Sequence, residues 1–387
     1  MKLEGIKVLD LSLFLPGPLL TQIMVDQGAD VIKLEPRGAG EPNRSIGQRR
    51  EGVSVYFANT HRGKRSVQIN LKIKAGLQLA LKLAAEADVI VEAFRPGVIS
   101  RLGLGYEQVK MLNPGVVYLS LSAFGQDGPY VKKPAHDLVT EAYAGVLSAN
   151  LGFDNKPAIP ALPAADMLAA TMGLSAVLMT LLRRKDTGRG DYIDLAMMDS
   201  LMACLPNSMG AVFSEGESPK VKDERIWGGH AMYNIYQTAD QKFIVLGASE
   251  THFAENLLDK LGRLDLLPLC RLPPGPGQDP VREFFKETFQ SQTQGYWVQW
   301  FEDIDVAFAP VNDLRQAADD QQIRYRKMIV LDDFGREHIG IPMKFRDEPG
   351  RISFDAPRLG QHNRQIAGEL GYSDEEINEL QDEGVFE

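Results

Sequence analysis

Cysteine is nearly absent from this chain. Cys204 and Cys270 are its only two in 387 residues, and neither sits in a CxxC pair or a His/Cys metal-ligand spacing. A disulfide framework and a bound metal are therefore not expected. Two lone thiols in apolar stretches read as buried side chains in a reducing compartment. Positive charge is also short: 42 Lys and Arg against 52 Asp and Glu leave a net charge of −10. That removes the overall electrostatic basis for a nucleic-acid or acidic-membrane partner. The start, MKLEGIKVLDLS, lacks a signal-peptide core, and no apolar run is read as reaching the roughly 20 residues of a membrane span. The expectation is a soluble cytoplasmic protein. GxGxxG, GxxxxGK[ST] and GxSxG are all missing, which leaves carboxylate-based acid–base or covalent chemistry as the enzymatic option.

What is present is ordinary globular composition, 44% hydrophobic and 24% charged, and this argues against extended disorder. Short apolar runs alternate with helical ones: IKVLDL at 6–11, VIKLE at 31–35, SVQINL at 66–71, DVIVEAF at 88–94 and VVYLSLSAF at 116–124. Strands separated by helices of this length imply βαβ crossovers and a mainly parallel sheet. Ligands of such sheets bind beyond the carboxyl ends of the strands. A long apolar helix is expected from Asp166 to Arg184, and the Pro/Gly-bearing stretch that follows Cys204 and Leu205 reads as a linker. A smaller α/β unit then begins near MYNIYQTADQKFIVLG. The domain reading is a large domain over 1–205, a linker over 206–230, a small domain over 231–325, and a segment over 326–387 that returns to the large domain.

The most telling segment is His136–Gly173, HDLVTEAYAGVLSANLGFDNKPAIPALPAADMLAATMG. Asp166 lies between a Pro-rich approach and an Ala-rich helix. Unpaired amides and the positive end of a helix dipole there would hold a carboxylate ionised and aimed, as a nucleophile or base requires. A simple helix cap is the competing role. His136 and Glu250 also sit where a loop or strand gives way to a helix, and each has a structural alternative. In the loop EPRGAGEPNR, Arg37 and Arg44 could pair bidentately with phosphates, or simply face solvent. Lys72, Arg95 and Arg101 recur near strand ends with Phe94 among them, which suits a ligand with phosphates and a stacking base.

These residues fall into a known pattern. The opening LEGIKVLDLSLFLPGPLLTQIMVDQGADVIKLEPRGAGE resembles that of the family III CoA-transferases, the CaiB/BaiF family. The likeness continues in order through NTHRGKRSVQINLK, DVIVEAFRPGVISRLGLGYE, NPGVVYLSLSAFGQDGPY, KDTGRGDYIDLAMMDS and APRLGQHNRQIAGELGYSDEEI. It implies a large Rossmann-like domain, a smaller α/β domain and an interlocked homodimer. It implies acyl-CoA thioesters and carboxylic acids as substrates, with no permanently bound cofactor. By resemblance, Asp166 is the thioester-attacking aspartate, and CoA contacts fall at Pro16, Arg37, Lys72, Ala93, Phe94 and Arg101. The same family contains 2-methylacyl-CoA racemases, whose His, Asp and Glu match His136, Asp166 and Glu250. The run of glycines that usually follows the racemase aspartate is replaced here by MLAATMG. The transferases' Gly-rich loop before a Gln is not evident near 225–232. Transferase is the first expectation and racemase the alternative.

Overall fold

The computed structural model describes residues 1–386. Its contacts divide the chain into two units. The first comprises Met1–Ser148, Ala158–Cys204 and the chain from Arg324 onward; the second comprises Ala149–Pro157 and Leu205–Ile323.

The first unit is built on six parallel strands: β1 (Lys7–Asp10), β2 (Asp30–Glu35), β3 (Arg65–Gln68), β4 (Val89–Glu92), β5 (Val117–Ser122) and β6 (Asp191–Ala196). Their order is β3-β2-β1-β4-β5-β6, with pairings such as Val8↔Val31 and Val8↔Val89. The near-continuous Val, Ile and Leu runs follow from burial on both faces of a parallel sheet. Alternation along each strand divides them between two cores. Leu9, Ile90 and Tyr118 join one core with the helix Lys74–Glu86 and the C-terminal helices Asn363–Glu369 and Asp374–Asp382. Val8, Val89, Val91, Val117 and Leu119 join the other, with the helices Pro16–Asp26 and Ala164–Thr187. Strand order reverses between β1 and β4, and that switch point opens a crevice at the carboxyl edge.

Helix Ala164–Thr187 carries the buried stripe Ala165, Ala169, Ala170, Gly173, Leu174, Val177 and Leu181, the helical repeat of a packed face. Its small residues allow close approach. A Cβ on Gly173 would lie 2.9 Å from Leu20 and 3.2 Å from Leu119 and Leu195. This corrects one expectation, because by length and composition alone the helix is long and apolar enough to cross a membrane. Alanine and methionine make it so without a run of large aliphatic residues. Leu178, Met179 and Leu182 remain exposed on its other side.

The second unit holds a three-stranded antiparallel sheet of β7 (Tyr233–Gln237), β8 (Phe243–Gly247) and β9 (Phe308–Pro310), with β8 central. Phe285, Phe289, Trp297 and Phe301 fill its core. Two sequence boundaries need correction. Residues 149–157 belong to this unit, where Leu151 bridges Pro157 and Phe153 stacks on Phe243 with centroids 5.9 Å apart. Residues 206–230 are not a free linker. They contain the helix Gly210–Glu215, and near their end the Gly229 carbonyl accepts from the Gly275 amide and the Arg282 guanidinium. Cys270 is buried but Cys204 is exposed, so the expectation of two buried thiols holds only for the first.

Candidate active site

The crevice at the switch point contains two cavities of the first unit. One of about 560 Å³ is lined by Phe14 and Pro16 after β1, Ala93 and Phe94 after β4, Ser122 at the end of β5 and Ala123 to Gly125 beyond it, Met197 after β6, and His136 and Asp166. The other, of about 510 Å³, is lined by Arg37 and Gly38 after β2, Asn70 to Lys72 after β3, and Leu102. Leu13 and Phe94 line both, so the cavities adjoin across those two side chains. Gly17 lets the chain turn from β1 into its helix: a Cβ there would fall 2.1 Å from the Ser12 hydroxyl oxygen.

Asp166 stands in the first turn of its helix but does not cap it. The capping acceptors come from the helix Asp137–Tyr143: Ala164 N–H donates to Glu141 Oε1 at 3.0 Å, and Asp166 N–H donates to Asp137 Oδ1 at 3.0 Å. Two carboxylates thus satisfy helix-end amides, and the competing role of Asp166 as a simple cap falls to other residues. No described residue donates a hydrogen bond to the Asp166 carboxylate. Burial, followed by the negative charges of Asp137 and Glu141, pushes its pKa up to about 7. The expectation of a carboxylate held firmly ionised is corrected: the helix end is already compensated, and desolvation dominates.

His136 is exposed at the start of the Asp137–Tyr143 helix, with its ring edge-on to Phe14, 5.5 Å between centroids and 83° between planes. It and Asp166 line one cavity. Glu250 belongs to the second unit, exposed before the helix Thr251–Lys260, where its carbonyl accepts from Phe253 and Ala254 N–H.

Among the sequence-derived ligand residues, Pro16, Ala93 and Phe94 line the Asp166 cavity, while Arg37, Lys72 and Phe94 line the second. Arg101 is exposed at the end of Val98–Arg101 and lines neither; its neighbour Leu102 does. Arg44 is not a phosphate residue here. It grips the buried Glu35 through two bonds of 2.6 and 2.7 Å and lies 4.0 Å over the Phe57 ring.

Several neighbours carried no signal in sequence. The Tyr56 phenol is pushed up to about 12 by burial and by Asp166. Glu92, at the end of β4, accepts the Phe94 amide at 2.8 Å, and burial raises its pKa to about 7. An acid at the end of an apolar strand is unremarkable until the loop beyond it is seen to form a cavity wall. Lys133 adds a cation to the Asp166 cavity beside Arg95, which the sequence already marks near a strand end.

A parallel α/β scaffold with a half-buried, elevated carboxyl and an imidazole in a switch-point cavity has the layout of an enzyme cleft. The family model for CoA-transferase family III matches residues 3–363, and the chain belongs to that enzyme family. It is 30% identical to an acetyl-CoA:oxalate CoA-transferase of Acetobacter aceti, over 95% of each chain. It is equally 30% identical to an alpha-methylacyl-CoA racemase of Mus musculus, over 100% of this chain and 98% of that one. Among solved structures, a CAIB/BAIF family protein from Brucella suis superposes with a TM-score of 0.83 at 27% identity, covering 95% of this chain and 99% of that one.

Proposed function

We propose that this enzyme moves CoA between an acyl-CoA thioester and a carboxylic acid, with Asp166 as the nucleophile. An Asp166 carboxylate oxygen attacks the thioester carbonyl, the C–S bond breaks, and an acyl-aspartyl anhydride and CoA thiolate form. The thiolate attacks the aspartyl carbonyl, releasing the donor acid and leaving an aspartyl-CoA thioester. The acceptor carboxylate attacks that thioester, giving a second anhydride and thiolate. Attack of the thiolate on the acceptor's acyl carbonyl yields the new acyl-CoA and frees Asp166. The observation that carries this reading is an Asp166 carboxylate relieved of capping duty, without a hydrogen-bond donor, in a cavity wall. Arg37 and Lys72 in the adjoining cavity suit the phosphates of CoA.

A racemase is the second reading, favoured by His136 in the wall of the same cavity. A thioester acidifies its α-proton, and His136 and Asp166 would exchange it from two faces, with Glu250 assisting. One experiment separates the two. The protein is incubated in deuterated buffer with a panel of acyl-CoAs, with and without free acids, and the products are read by mass spectrometry. Transfer predicts new acyl-CoAs only when an acceptor acid is present, together with hydroxylamine capture at Asp166. Deuterium entering a 2-methylacyl-CoA without acceptor would instead establish the racemase.

The proposal extends to a homodimer. Met179 and Leu182 of the Asp166 helix are 69% and 68% exposed beside Leu178, an apolar face of the kind that subunit interfaces cover. Light scattering should give twice the chain mass of 42.8 kDa; a concentration-independent monomer would refute it. A cytoplasmic setting is in keeping with two free thiols.

A further inference from the structure

Phe14 has φ +64°, a left-handed backbone that bulky side chains rarely adopt. Such a residue persists only when its surroundings over-determine it. Both of its peptide groups are held from one short segment. Its N–H donates to Glu41 Oε1 at 2.9 Å, and its carbonyl accepts from Asn43 Nδ2. Glu41 and Asn43 are fully buried. Glu41 is fixed in turn by Lys33 Nζ at 3.3 Å and by its own N–H on Glu35 Oε2 at 2.9 Å. The buried ionic cluster thus ends in a clamp on one strained residue, and that residue's ring meets His136 in the Asp166 cavity.

We propose that Glu41 and Asn43 are positioning residues for the reaction: they hold Phe14 left-handed so that its ring seats the His136 imidazole and shapes the acyl-facing wall beside Asp166. An extended or helical residue 14 would direct its ring elsewhere and leave His136 without that support. The inference rests on the reading of the Asp166 cavity as the place where the thioester reacts. It adds that acyl selectivity is set from a loop that does not itself line the cavity.

The test compares Asn43→Ala, Phe14→Ala and the double variant. The readout is kcat/KM for a short linear acyl-CoA against a 2-methyl-branched one, with CoA binding followed by calorimetry. Each single variant should change the selectivity ratio about tenfold, with CoA affinity held within about twofold. The double variant should change the ratio no further than Phe14→Ala alone, because both lesions remove the same wall. Additive effects, or an Asn43→Ala protein with wild-type selectivity and only a lower melting temperature, would overturn the proposal. Asn43→Ser serves as the milder second variant; if neither Asn43 variant folds, Asn43 is a scaffold residue and the proposal fails equally. Retained turnover in Asp166→Asn would instead sink the reaction assignment, so the two failures are distinguishable.

Discussion

Asp166→Asn is expected to lower kcat by about 10⁴-fold or more, the scale seen when a covalent nucleophile is removed, while melting at a higher temperature than the parent at pH 8. Both outcomes have one cause. The folded-state pKa of Asp166 is about 7, against an ordinary value of 3.8. The folded protein therefore retains a proton on this group that the unfolded chain has released between those values. The group's contribution to stability is most favourable below pH 3.8, declines as pH rises, and levels off above about 7. Above that pH the fold carries an ionised carboxylate that is half-buried beside Asp137 and Glu141. Asparagine removes that charge, and the gain, discounted for partial solvation, is about 1–3 kcal/mol. Thermal melts of both proteins at pH 5 and pH 8 should diverge as pH increases. A lower melting temperature for the variant at pH 8 would contradict the electrostatic account. Under the transferase reading, kcat/KM of the parent should fall about tenfold per pH unit below about 7, as the nucleophile protonates.

The second large effect concerns stability. Asp10, at the end of β1, accepts from the Ser12 amide at 2.9 Å, the Thr21 hydroxyl at 2.6 Å and Lys64 Nζ at 3.0 Å, with Lys33 Nζ 3.4 Å away. All of these side chains are buried. Burial alone would raise the Asp10 pKa, yet the two ammonium groups and the hydroxyl donors hold it far below the usual carboxylate range. Burial lowers Lys64 to about 8 even with Asp10 beside it, which shows how closely the cations depend on that carboxylate. Asp10→Ala leaves the buried Lys64 without its ion-pair partner and Lys33 with Glu41 alone, and it is expected to destabilise the protein by about 3–5 kcal/mol. Urea unfolding measures this directly. A loss below about 1 kcal/mol would mean that the lysines find other partners or deprotonate at little cost.

This charged core was illegible in the sequence. Asp10, Lys33 and Glu35 each read as polar positions in short strands, and Lys64 as one cation in HRGKR. Parallel pairing of β1 with β2 brings Asp10 beside Lys33, and Lys64 reaches the same carboxylate just before β3. Arg44 shows the same limit. In sequence it was a loop cation open to phosphate, but the fold gives it Glu35 and Phe57. The competing role of Asp166 as a helix cap could not be decided in the sequence for a related reason. The acceptors Asp137 and Glu141 lie 29 and 23 residues before the amides they satisfy.

By itself the sequence determined the parallel α/β core through its apolar runs, and it marked the Gly-, Pro- and Arg-bearing loops beyond the strands as the place to look. It also singled out His136 and Asp166, because a loop-to-helix junction leaves a recognisable local pattern. Those features depend on periodicity and turn chemistry within a few residues. Only the tertiary structure decided that His136 and Asp166 share one cavity, that Asp166 is relieved of capping, and that Glu41 and Asn43 clamp a left-handed Phe14. Each of these depends on which distant groups lose water together, and that is fixed when the layers pack.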